Sequence, residues 1–101
     1  TLRRWKDAER WGEEALALAP GDFTAASRLA WIQYSQAQWP KAEQLYRRVL
    51  AGWPASAEMR AGLAWSLLKQ GRNKEARAEF ERVLAFAPDH ASAREGLTLV
   101  P

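Results

Sequence analysis

The histidine at position 90 follows Asp89 in a short segment after Pro88, and a His–Asp pair is half of many catalytic and metal-binding arrangements. Nothing in the sequence completes it. There is no cysteine, no second histidine and no serine placed as a nucleophile, so helix capping and solvent exposure are the expected lot of His90. Glu13 and Glu14 are neighbours in sequence, and on a helix such neighbours point in different directions, which rules them out as an acid–base couple. Gly21, Gly52, Gly62 and Gly71 stand singly, without the clustering a phosphate-binding loop requires. The reading is therefore of a chain with no catalytic residue, no cofactor site and no metal ligands. An enzymatic role would need chemistry from outside this segment.

If the residues do no chemistry, their task is to shape a surface. The 101 residues are 48% hydrophobic and 27% charged, the composition of a folded domain. No stretch approaches the roughly 18 apolar residues of a membrane span, so direct membrane insertion is not expected. The net charge of +3 is spread over segments such as KEARAEFER, where acidic residues answer the basic ones. The basic start, Arg3, Arg4, Lys6 and Arg10, is interrupted by Asp7 and Glu9, and a nucleic-acid partner would want a continuous stripe. The absence of cysteine fits a reducing or an oxidising compartment equally, and localisation stays open.

Self-similarity organises the chain. Prolines stand at 20, 54 and 88, two intervals of 34 residues, closing the segments EEALALAP, YRRVLAGWP and FERVLAFAP. Ala8, Ala42 and Ala76 lie twelve residues before these prolines, and Tyr46 and Phe80 follow the last two alanines by four. Leu29-Ala30, Leu63-Ala64 and Leu97-Thr98 recur at the same interval. Ala42, Leu45, Tyr46, Val49 and Leu50 trace the apolar stripe of an amphipathic helix, repeated by Ala76, Phe80, Val83 and Leu84. Pro40 suits a first helical turn, Gly71 a left-handed helix end, and Asp22, Ser56 and Asn73 suit N-caps. Helices are expected near 4–18, 23–37, 40–51, 57–70, 74–86 and 90–99.

This pattern resembles the tetratricopeptide repeat, whose signature places an aromatic, Leu-Gly and Tyr on a first helix and Ala, Phe and Pro on and after a second. The resemblance covers the whole chain. It implies an all-α, right-handed superhelical solenoid of about six helices in antiparallel pairs. Residues 1–22 would be the second helix of one unit, 23–56 and 57–90 two full units, and 91–101 the first helix of another. Ala26 and Arg60 replace the first aromatic, Ala30, Ala64 and Thr98 the glycine, Gln33 and Leu67 the tyrosine, and Gly12 the phenylalanine of the first unit. The chain opens with Thr inside a unit and stops inside another, so it is expected to be part of a longer array. The first helix would then expose some of Trp5, Trp11, Leu16 and Leu18, and the chain could self-associate through its open ends.

What the resemblance implies for function is a scaffold that holds a partner protein or peptide in a concave groove lined by the first helices. Carried over by register, the groove positions are Thr24, Ser27, Arg28, Trp31, Tyr34 and Ser35, then Glu58, Ala61, Gly62, Trp65, Leu68 and Lys69, with Ser92, Glu95 and Leu99 beyond. Trp31 and Trp65 would sit side by side as an aromatic ledge, or pack as extensions of the core. Trp5 and Trp39 read as packing residues. The family's carboxylate clamp would need Lys, Asn and Arg on these helices, and only Arg28 and Lys69 offer comparable charge. The alternative is a structural spacer in a long solenoid, for example of a bacterial polysaccharide-export or envelope-assembly protein. The Ala-, Arg- and Trp-rich, Lys-poor composition suits a GC-rich bacterium.

Overall fold

In the computed structural model, which describes residues 2–101, the chain folds as α1 (Leu2–Leu18), α2 (Phe23–Ser35), α3 (Trp39–Gly52), α4 (Ala57–Lys69), α5 (Asn73–Phe86) and α6 (Ala91–Leu99). Each helix packs on the next, and α2 touches α4 as α4 touches α6, while among the described residues α1, α3 and α5 meet only through long side chains, Lys41 with Glu9 and Arg47 with Glu75. The result is two layers, even-numbered helices on one side and odd-numbered helices on the other.

Local chemistry explains the boundaries. Asp22 Oδ1, Ser56 Oγ and His90 Nδ1, each 34 residues from the next, accept from the backbone N–H three residues on, at 3.1, 3.3 and 3.2 Å. Each is preceded by the same turn, closed by Asp22 N–H to Ala19 C=O, Ser56 N–H to Trp53 C=O and His90 N–H to Ala87 C=O. Pro40 lies in the first turn of α3, where its missing N–H costs nothing. Asn73, expected to cap α5, is instead its first residue. Arg72 takes the cap position and offers no side-chain cap, because a guanidinium has no acceptor for a backbone N–H; it donates instead to Glu43 and Glu75. Nor does α2 run to residue 37, since Ala37 turns to φ 60° and ends it.

The core runs continuously between the layers through Leu29, Tyr46, Val49, Leu63, Leu67, Phe80 and Val83. Two of its contacts are of ring on glycine. A Cβ added to Gly62 would lie 2.5 Å from the Tyr46 ring, and one added to Gly96 would lie 2.2 Å from the Phe80 ring. These are register equivalents. Where Gly12 takes the place of the ring, Arg28 takes the place of the glycine, so the ring and the hole for it are lost together.

Polar groups bind the odd-numbered helices into the same register. Glu9 accepts from Gln38 Nε2 at 3.0 Å, and Glu43, one period later, accepts from Arg72 Nη1 at 2.7 Å. Burial of Glu43 favours its neutral form, but hydrogen bonds from Gln70, Arg47 and Arg72 outweigh that and hold its carboxyl below the ordinary range. Arg60, on the slot where the signature has an aromatic, sends its guanidinium to Glu79 of α5 at 2.9 Å and to the Pro54 carbonyl at 3.0 Å. The register equivalents of that ion pair, Ala26 and Leu45, are buried and apolar.

Candidate functional site

The even-numbered helices bring their side chains together around a cavity of about 410 Å³, lined by Ser27, Trp31 and Tyr34 of α2, Glu58, Met59, Ala61, Gly62 and Trp65 of α4, Tyr46 of α3 and Ser92 of α6. Of the residues expected in the groove, Ser27, Trp31, Tyr34, Glu58, Ala61, Gly62, Trp65 and Ser92 meet here. Ala61 does so from within the core, being only 3% exposed. Thr24, Arg28, Lys69, Glu95 and Leu99 are exposed but outside the cavity wall, and Leu68 is half-buried against the core.

The two tryptophans share the cavity without a ring contact between them among the described residues. Trp31 leans on Trp5 of α1, with centroids 5.7 Å apart and planes tilted by 48°, yet stays 56% exposed. Trp65 meets Phe80 edge-on at 5.4 Å and donates its indole N–H to Ser92 Oγ at 2.8 Å. One indole is therefore pinned by a ring contact and a hydrogen bond, and the other is braced by Trp5 while remaining largely exposed. Trp5, expected to serve packing, does so by supporting Trp31.

Tyr46 and Met59 are cavity residues that the helix register did not indicate. Tyr46 belongs to α3, and it lines the cavity because Gly62 has no side chain to cover it. The one available signal was the coincidence of Gly62 and Gly96 in register with Tyr46 and Phe80. Burial and then the neighbouring Tyr34 phenol push the Tyr46 hydroxyl up to about 12, and burial raises Tyr34 as well, so both phenols are neutral at physiological pH.

His90 caps α6 as expected but is not solvent-exposed. Its side chain is 10% exposed, and its Nε2 lies 2.8 Å from Glu58 Oε1. Because Nδ1 accepts from the Ala93 N–H, the proton sits on Nε2, which donates to the carboxylate. Expectation failed here because Glu58 and His90 are 32 residues apart and meet only when α4 and α6 are adjacent.

No group of three or more metal-ligating side chains occurs among the described residues, and no helix is long and apolar enough to cross a membrane. The tetratricopeptide repeat family model matches residues 36–99. The chain belongs to the tetratricopeptide repeat family. Its solenoid is similar to the tetratricopeptide domain of Arabidopsis OM64, with a TM-score of 0.89 at 19% identity over 97% of this chain and 81% of that one. The Sgt2 tetratricopeptide domain from Aspergillus fumigatus gives a TM-score of 0.86 at 17% identity over 97% of this chain and 66% of that domain. MamA from Desulfovibrio magneticus gives 0.80 at 20% identity over 98% of this chain and 66% of that one. At these identities the likeness is one of fold. No curated protein matches the sequence. Tetratricopeptide domains are in general protein–protein interaction modules, typically without enzymatic activity.

Proposed function

We propose that this chain is a protein-interaction scaffold that holds a peptide or protein segment in the groove formed by α2, α4 and α6, as two full repeats, 23–56 and 57–90, flanked by partial ones. The observation that carries the reading is Trp31, an indole braced by Trp5, standing on a cavity wall and still 56% exposed. A braced aromatic loses little conformational freedom on binding, and its large apolar face is the kind of surface that supplies binding hot spots of about 2 kcal/mol or more. Trp31→Ala is expected to weaken a groove-bound peptide about tenfold or more, or at least about 1.4 kcal/mol, with helicity by circular dichroism unchanged. Equal affinity of the two proteins would refute the groove.

A structural spacer role is favoured by a different observation. Trp11 is 64% exposed and Leu18 89% exposed on α1, and Leu99 is 57% exposed on α6, so both ends of the solenoid carry apolar surface able to stack on further helices. Sedimentation equilibrium checks this reading. Concentration-dependent association that Trp11→Ser abolishes supports stacking, and a monomer at the highest soluble concentration contradicts self-stacking.

A further inference from the structure

Among the residues lining the groove cavity, Glu58 alone carries a charge at neutral pH. It does so on a chain whose formal charge is +3, so the carboxylate does not reflect a generally acidic protein. The rest of the wall is uncharged, and four of its residues, Trp31, Trp65, Tyr34 and Tyr46, are aromatic, with Trp31 the most open of them. An aromatic enclosure with a single carboxylate at its edge has a definite complement, an apolar stem ending in a cation.

The carboxylate is also held in place. Glu58 is 78% exposed at its side chain, and an exposed glutamate would ordinarily sample many rotamers. Here the Nε2–H of His90 donates to its Oε1 at 2.8 Å. His90 is itself fixed, 10% exposed and tied through Nδ1 to the Ala93 N–H. The remaining lone pairs of Glu58 stay available as acceptors, since a carboxylate can take about four hydrogen bonds.

Resting on the groove reading above, we propose that the cavity takes a basic side chain of the bound partner, Arg in preference to Lys. Its guanidinium lies against the Trp31 indole and donates to Glu58, and His90 is the positioning residue that keeps the carboxylate there. Arginine suits the site better because a planar guanidinium both stacks on an indole and offers several donors to one carboxylate, whereas an ammonium is a compact, strongly hydrated charge. A volume of about 410 Å³ lies within the range of pre-formed ligand sites and leaves room for the whole side chain.

The test uses phage-displayed random dodecapeptides selected on the intact chain, followed by titration of a selected peptide and of the same peptide with citrulline at its arginine. The expected result is enrichment of arginine and about tenfold weaker binding of the citrulline form. Glu58→Gln, which keeps an acceptor for His90 and removes the charge, should bring the two peptides to equal affinity. His90→Asn retains a good cap but not the bond to Glu58, and should narrow the arginine–citrulline difference. Peptides that depend on Trp31 but lack a basic residue, or that bind equally well as citrulline forms, would overturn the cationic occupant while sparing the groove. A library in which no peptide loses binding on Trp31→Ala would overturn the groove, and this occupant with it.

Discussion

Gln33 and Leu67 hold one register position in successive helix pairs, and they meet the same burial with opposite chemistry. Leu67 is fully buried among core residues, whereas Gln33 is 6% exposed with its Oε1 buried and unpartnered. The clefts over them differ accordingly, about 160 Å³ between α3 and α5 and about 420 Å³ between α1 and α3. The contrast recurs at each tight position. The later pair has Gly71 where left-handed backbone is needed, and the earlier has Ala37. Tyr46 presses into Gly62, while Gly12 and Arg28 replace that contact one period earlier. Arg60 and Glu79 form a partly buried ion pair in the α4–α5 hairpin, and Ala26 and Leu45 hold those places in α2–α3. The groove is thus built from unlike halves. The α4 side fixes Trp65, Glu58 and His90 by hydrogen bonds, and the α2 side presents an open Trp31.

The hardest way to break the tight half is to fill the hole at Gly62. Its Cβ would lie 2.5 and 2.6 Å from ring carbons of Tyr46, a side chain only 4% exposed. Overpacking of this kind costs about 1–3 kcal/mol, and alanine recovers up to about 1 kcal/mol of helix propensity. Gly62→Ala is expected to lower the unfolding free energy by about 2 kcal/mol in urea denaturation. Arg28→Ala, the same register position in the other hairpin, should change it by under about 0.5 kcal/mol, because Arg28 is exposed and no large ring sits beneath it. Equal losses at both positions would abolish the distinction between the hairpins.

The loose half can be tightened. Gln33→Leu copies Leu67 and removes a buried acceptor with no partner, a group whose desolvation costs about 1–3 kcal/mol. Because the wider cleft will not pack as closely around the new side chain, the expected gain is nearer about 1 kcal/mol, seen as a higher urea midpoint with an unchanged slope. A loss of stability instead would show that the amide is satisfied by water in the cleft, and that the two positions are equivalent after all.

The comparison also shows how far sequence carries. Helix number and order followed from proline spacing, capping residues and apolar stripes, because each acts within a few residues of itself. Helix ends came within two residues of expectation for the same reason. The groove was legible only in part. Register put Trp31 and Trp65 on one wall, but the bracing of Trp31 by Trp5, the hydrogen bond from Trp65 to Ser92 and the bond from His90 to Glu58 each join helices that are distant in sequence. Such contacts depend on how the helices are stacked, which periodicity does not encode. Tyr46 reached the cavity through the missing side chain of Gly62, an effect visible only when two helices are placed against each other.

The smallest effect gives the cleanest contrast, because it involves backbone alone. Ala37 and Gly71 end α2 and α4 with φ of 60° and 76°, and the hydrogen bonds around them correspond, Gln38 N–H to Gln33 C=O at 2.8 Å and Arg72 N–H to Leu67 C=O at 3.0 Å. For alanine the left-handed conformation costs roughly 1–2 kcal/mol, and for glycine it costs almost nothing. Glycine, however, makes the unfolded chain more flexible by about 0.4–1 kcal/mol, which opposes the relief. Ala37→Gly should therefore stabilise the protein by only about 0.5 kcal/mol, while Gly71→Ala should destabilise it by about the same amount. Opposite signs for the two reciprocal substitutions, measured by thermal unfolding under one set of conditions, would place the cost in the strained turn after α2. Destabilisation by both would mean that unfolded-chain entropy outweighs the strain at Ala37, and that this part of the looser hairpin is as well fitted to its turn as its glycine counterpart.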